Sequence, residues 1–177
     1  MQGGAEVVAD TLEVIKLLRT RIKRVEKLML ELINSDPQTE QCFKLVLSVP
    51  GLGIITGTYL LVVTECFTLF SKSRQMACYS GGAPFEHSSG SSIKGGTRVS
   101  SKADKKLKSL LSSGVSTLLL HHRHTQQYFE RKTAAGKHPN LARNNIRNKI
   151  LHTVFAVVRR ATPYDPDYDT QPLKVPA

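Results

Sequence analysis

Apolar residues recur in steps of three and four near the start of the chain. Ile15, Leu18, Ile22, Val25, Met29 and Leu32 make an a/d seam over about three heptads, and Val8 with Thr11 or Leu12 extends it backward. This pattern predicts a helix over residues 5–33, with Arg19, Arg21, Lys23, Arg24, Glu26, Lys27 and Glu31 between the seam positions. It suits a helix packed on its own domain and equally a coiled coil, within the chain or between chains; both readings stay open. Asn34-Ser35-Asp36-Pro37 then stops this helix and starts another. Asp36 is a capping residue and Pro37 fits the first helical position, so a short helix follows to about Val49.

The run "VPGLGIITGTYLLVV" (Val49–Val63) predicts a tight turn at Pro50-Gly51-Leu52-Gly53 and a helix behind it. A helix, a glycine-rich turn and a second helix give the outline of a helix-hairpin-helix element. Such a turn can aim backbone N–H groups and a helix N-terminus at a phosphate. Gly51 and Gly53 are therefore candidate DNA contacts. The same glycines equally suit a buried turn that lets two helices approach closely, and the flanks carry little Lys or Arg.

Further along, "FTLFSKSRQMACY" predicts a turn and a short helix capped by Ser73, with Met76, Ala77 and Tyr79 facing inward. Residues 85–100 read as a Gly/Ser-rich loop. Ser101 with Asp104 forms a weak capping box, which starts a helix near Lys102 that runs on through Leu107, Leu111, Val115 and Leu119. Two more helices are expected over about 124–135 and 139–161. No stretch alternates at period two long enough to predict a strand. The fold class is mostly α: a coiled-coil-like linker helix (residues 1–36), a compact helical domain (37–162) and an irregular tail (163–177).

Charge sharpens this division. The formal net charge is +11, but residues 1–70 carry a net of −1 and residues 161–177 a net of −2. Residues 71–160 hold 17 Lys/Arg against only Glu86, Asp104 and Glu130. A basic surface concentrated in one segment points to a polyanionic partner, either nucleic acid or an anionic membrane. Leu45 to Thr64 is 20 residues without a charge, yet Pro50, Gly51 and Gly53 interrupt it, which argues against a membrane span. Cys42, Cys66 and Cys78 have no metal-binding spacing and read as free thiols of a reducing, cytoplasmic compartment. The first residues lack the basic and apolar regions of a signal peptide.

The chemistry candidates gather in the serine-rich stretch "EHSSGSSIKGGTRVSS" (Glu86–Ser101). Ser88, Ser89, Ser91 and Ser92 surround Gly90, with Lys94, Arg98 and Lys102 close behind. A serine hydroxyl attacks only when a base takes its proton or a cation stabilises the alkoxide. Attack on a phosphodiester also needs positive charge at the non-bridging oxygens. Composition alone equally describes a flexible linker. Ser91-Ser92-Ile93-Lys94 matches S-x-x-K, but neither S-D-N nor K-T-G follows, so an acyl-enzyme is not indicated. His121 and His124 share a helical spacing without the carboxylate or cysteine that would complete a metal set, so no metal site is expected in this chain. Arg143, Arg147 and Lys149 on the last helix have few acids to pair with and suit phosphate contacts.

Taken in order, "VPGLGIITGTYLL", "FTLFSKSRQMACYSGGAPFEHSSGSS", "GGTRVSSKADKKLKSLL" and "YFERKTAAGKHPNLARNNIRNKIL" resemble the C-terminal part of the IS110/IS116/IS902-type transposases, over about residues 45–168. The resemblance implies a DNA recombinase active in transposition of an insertion sequence. It implies a serine in a Ser-Gly context that links covalently to DNA, which falls on Ser89, with Ser88 as the alternate. Gly90, Lys94, Arg98, Lys102, Lys105, Arg143 and Arg147 become candidate DNA contacts. In that family an N-terminal RuvC-like domain carries four acidic metal ligands, so magnesium is expected on that domain and no cofactor on this chain. The family also implies DNA and a guide RNA from the element as partners, self-association through the N-terminal helix, and a bacterial, nucleoid-associated setting. The sequence departs from the pattern at its start, where it opens at the linker helix, and at Asp104, near a position where the family often has glycine-asparagine. The expectation is therefore a C-terminal portion of a transposase that needs a separate RuvC-like domain; the alternative is a non-catalytic nucleic-acid-binding remnant.

Overall fold

The computed structural model describes residues 3–82, 85–89, 93–98 and 102–167. The chain divides into two compact units, residues 1–40 and 41–177. The first holds α1 (Gly3–Asn34) and the start of α2 (Pro37–Ser48). The heptad pattern forms the long helix it predicts. Leu18, Ile22 and Val25 on the seam remain 55%, 56% and 55% exposed. One exposed i,i+4 pair, Lys27 with Glu31 at 3.5 Å, contributes only a few tenths of a kcal/mol. Asp36 caps α2, accepting from the Thr39 N–H at 2.8 Å and the Thr39 hydroxyl at 2.6 Å.

The second unit contains the rest of α2, then α3 (Ile54–Thr64), α4 (Ser73–Tyr79), a strand pair, α5 (Lys105–His121), α6 (Arg123–Ala134) and α7 (Pro139–Arg160). The mostly α fold class holds. No described helix is long and apolar enough to cross a membrane, because the uncharged run from Leu45 is broken between α2 and α3. The core is built around α7, which places Ala142, Ile146, Ile150, Leu151, Val154, Phe155 and Val157 inward. α4, α5 and α6 pack against it, and α3 packs against α5. Leu60, Met76, Leu107 and Leu151 are completely buried. Each such side chain contributes about 1.5–3 kcal/mol of burial energy.

Three local expectations are corrected. Residues 85–100 are not simply a loop: β1 (Phe85–Ser89) and β2 (Ile93–Arg98) pair antiparallel, with Ser88 opposite Lys94 and Ser89 opposite Ile93. The register shifts between Phe85 and His87, where β2 carries an extra residue in the manner of a β-bulge. A ribbon of this kind is made by backbone pairing, so period-two hydrophobicity does not announce it. The next helix begins at Lys105 rather than Lys102, because Asp104 itself is the cap and accepts from the Leu107 N–H at 2.9 Å. The partner of the expected capping box, Ser101, lies outside the described residues. Ser73 is the first helical residue of α4 rather than its cap; Lys72 precedes it in extended conformation. The Ser73 hydroxyl instead meets Nδ1 of His152 on α7 at 2.7 Å.

Candidate nucleic-acid interface

Ser88 and Ser89, the candidate nucleophiles, lie in the strand pair, and the helical body holds a foot of the chain on each side of it, Gly82 before β1 and Asp104 after β2. At the first foot, the Gly82 carbonyl, three residues before β1, accepts from Nδ2 of Asn144 at 2.8 Å and Nδ2 of Asn148 at 3.1 Å. Gly82 N–H in turn donates to the Ala77 carbonyl at 2.8 Å. A Cβ here would lie 2.2 Å from Oδ1 of Asn148, the far end of a side chain that can yield. At the second foot, the Asp104 N–H donates to the Tyr79 carbonyl at 2.8 Å. Its carboxylate accepts from the Tyr59 hydroxyl at 2.7 Å. Burial pushes the Asp104 carboxyl up, but the Leu107 N–H and the Tyr59 and Tyr79 hydroxyls outweigh it and hold it below the usual carboxylate range. The same bond, with desolvation, raises the Tyr59 phenol to about 12. The Nζ of Lys106 lies 5.3 Å from the Tyr59 ring centroid.

Beside the first foot, α5 and α7 enclose a polar groove of about 360 Å³, lined by Lys108, Ser112, Ser116, Asn140, Arg143 and Arg147 with Val115. The spacing explains it. Lys108, Ser112 and Ser116 recur every four residues on α5, and Asn140, Arg143 and Arg147 recur by three and four on α7. Arg147 NH1 donates to Ser112 Oγ at 2.8 Å, and NH2 donates to Asn144 Oδ1 at 2.9 Å. The Ser112 hydroxyl gives its own proton to the Lys108 carbonyl at 2.6 Å, so its oxygen is available to accept. Burial lowers the affinity of the Arg147 guanidinium for its proton, though an arginine stays charged throughout the range of protein chemistry. Among the described residues, none of Lys108, Arg143 and Arg147 has a carboxylate partner; Arg143 lies over the Phe129 ring, 5.8 Å from its centroid.

The Pro50–Gly53 turn does join α2 and α3. Gly51 has φ of +86°, and a Cβ there would lie 2.9 Å from Leu118. Gly114 on α5 faces it so closely that its own Cβ would lie 2.3 Å from the Gly51 carbonyl oxygen. Gly51 thus serves backbone-to-backbone packing. Gly53, by contrast, is exposed and precedes the first turn of α3; a methyl group there would meet nothing within 4 Å.

The remaining sites fall as follows. Ser88, Ser89, Lys94 and Arg98 lie in the paired strands, and Gly90 lies outside the described residues. Lys102 and Lys105 are exposed ahead of and at the start of α5. The shared helical spacing expected for His121 and His124 does not survive: the chain turns at His122, in extended conformation, which ends α5 before α6 begins. His122 and His124, with Tyr128 and Lys149, instead line a second cavity of about 350 Å³. Among the described residues no group of three or more His, Cys, Asp or Glu is placed to hold a metal. Sequence reasoning missed Lys108, Ser112, Asn144 and Asn148. Their four-residue spacings were visible, but the facing of α5 and α7 was not.

The family described as "Transposase IS116/IS110/IS902 family" matches residues 43–130. The chain is similar to the pilin gene-inverting protein of Moraxella lacunata, 29% identical over 145 residues, which cover 81% of this chain and 45% of that protein. Its counterpart from Moraxella bovis is 28% identical over the same shares. An IS110 insertion-element protein of 43.6 kDa from Streptomyces coelicolor is 27% identical over 133 residues, 75% of this chain and 33% of that protein. The chain spans less than half the length of these curated relatives.

Proposed function

Because the chain belongs to the IS116/IS110/IS902 transposase family, we propose that it is the DNA-handling portion of a serine-nucleophile recombinase, with Ser89 as the attacking residue. The observation that carries this reading is the double anchorage of the serine ribbon on the basic helical body, at Gly82 and at Asp104. Anchored feet reduce the conformations a nucleophile must search, which is worth far more to a reaction than a slack linker allows. In the proposed step the Ser89 hydroxyl loses its proton and Oγ bonds to phosphorus. One bridging P–O bond breaks, and the departing strand end takes up a proton as a free hydroxyl. Lys94, Arg98, Lys102 and Lys105 would counter charge on the phosphate. The metal-ligating acids belong in this reading to a RuvC-like domain elsewhere.

The test is a denaturing-gel assay for protein–DNA adducts on labelled element ends, with the acidic domain supplied. Ser89→Ala abolishes the adduct and Ser88→Ala preserves it; the reverse result moves the nucleophile to Ser88. Adducts that survive both changes overturn the serine reading. The alternative, a non-catalytic binding remnant, gives DNA binding and no adduct under any supplementation. An element-encoded RNA as second partner, a bacterial cytoplasmic setting, and self-association through the exposed seam of α1 complete the proposal. Sedimentation of the wild type against Ile22→Lys checks the last of these, with dissociation expected for the variant.

A further inference from the structure

The groove between α5 and α7 has features that a solvated basic face does not need. Its central cation is held, not free: Ser112 and Asn144 each take one terminal nitrogen of Arg147 and fix the plane of the guanidinium. Among the described residues, its Nε is buried without a hydrogen-bond partner. A half-buried charge with no counter-ion is destabilising by itself, and an anion brought into the groove relieves it. Arg143 and Lys108 add two further positive charges to the same groove, and Asn140 adds an amide. A fixed guanidinium beside two further cations suits a tetrahedral anion with several acceptor oxygens better than a single carboxylate.

The groove is also tied to the ribbon. Asn144 gives its amide N–H to Gly82 O while its Oδ1 receives Arg147. These two bonds fix the orientation of the amide, because a carbonyl can only accept and a guanidinium can only donate. A continuous chain of hydrogen bonds therefore runs from the Lys108 carbonyl through Ser112, Arg147 and Asn144 to the foot of β1.

We propose that the α5–α7 groove is a phosphodiester-binding site, in which Lys108, Arg143 and Arg147 hold one backbone phosphate, and that Asn144 is a positioning residue which sets that phosphate in register with the foot of the serine ribbon. The inference rests on the nucleic-acid-binding half of the function proposed above and is independent of which serine reacts. It adds Lys108, Ser112 and Asn144 to the interface and separates holding the phosphate from positioning the ribbon.

The test is a fluorescence-anisotropy titration of the full chain with a duplex DNA and the RNA duplex of the same sequence, across a range of salt. Lys108→Gln and Arg143→Gln are each expected to weaken duplex binding about tenfold near 0.1 M salt and to lower the salt slope by about one, whatever the sequence. Arg159→Gln, the same charge loss at the far end of α7, changes affinity less than about twofold by the same reasoning. Equal losses from all three overturn the site and leave only a general charge effect. Unchanged affinity in Lys108→Gln and Arg143→Gln also overturns it. Loss confined to the RNA arm supports the site with RNA as its ligand; competition by polyglutamate at equal charge, but not by a DNA duplex, overturns the phosphate assignment. A wild type that binds neither duplex sinks the broader reading instead. Asn144→Leu is expected to keep the salt slope while speeding hydrogen exchange of backbone amides in residues 85–98; slow exchange in that variant overturns the positioning role.

Discussion

In the sequence the Pro50–Gly53 turn and the arginines of α7 both suit phosphate contacts, and the structure builds the turn and the α5–α7 groove in opposite ways. The turn is backbone against backbone: Gly51 and Gly114 meet with no room for a methyl group on either. Its flanks carry almost no charge. The groove is side chain against side chain, with three cations, one of them a fixed arginine, and no glycine among its described lining residues. The lesson is that a glycine between helices first answers the question of how close two helices come. A charge without a counter-ion asks the question of what binds there.

Substitutions can break this contrast, beginning with the largest effect. Gly114→Ala forces a Cβ against the Gly51 carbonyl, and neither backbone can rotate away. Overpacking against unyielding backbone costs about 3 kcal/mol and helix propensity returns about 1 kcal/mol, so a net loss of about 2 kcal/mol is expected. For a chain of this size that lowers the melting temperature by on the order of 8 °C in a calorimetric scan. Gly82→Ala is the groove-side counterpart. Its Cβ meets the end of the Asn148 side chain, which can swing aside at the loss of one hydrogen bond, so about 1 kcal/mol is expected. If the two variants melt alike, the contrast between rigid and yielding contacts is wrong.

Asp104→Asn comes next, with a cost of about 1 kcal/mol as a charged cap becomes a neutral one and the tyrosine bonds weaken. The sign of its pH dependence follows from the lowered carboxyl pKa. The ionised form is favoured in the folded state, so its stabilisation is present above the unfolded value, about 3.9, and is lost as pH falls through the lower folded value. Chemical denaturation between pH 6 and pH 2 will show a shallower acid limb in the variant. Gly53→Ala sharpens the other side and is the smallest change, within about 0.5 kcal/mol, since nothing stands within 4 Å of the new methyl. A large fall in duplex affinity there, with the melt unchanged, would show that the start of α3 also reaches a phosphate.

Most of the helical framework was legible because apolar side chains at helical spacing carry their own signature. The α1 seam, the cap at Asp36 and the inward stripe of α7 could be named from residue order. The ribbon was not, because Ser, Gly and Thr pair through their backbones and give no alternation for a pattern to show. The start of α5 was misplaced by three residues because Ser101 and Asp104 both have capping side chains, and only the bonds to Leu107 and Tyr59 select one. Arg143 and Arg147 were identified by charge, whereas Asn144 between them was overlooked. Neutral amides announce nothing until the carbonyl they hold is known.

The sequence by itself determined that this is a helical protein with its basic charge in one segment, and the ordered motifs carried the family. Those properties are local: spacing along a helix, capping chemistry and the tally of charges depend on neighbours in the chain. What only the tertiary structure decided is which surfaces meet. Ser112 and Arg147 are 35 residues apart, and Gly82 and Asn144 are 62 apart, yet each pair shares a hydrogen bond. Folding brings them together because the apolar faces of α5 and α7 must be buried against each other, and the polar residues beside those faces are then set opposite one another.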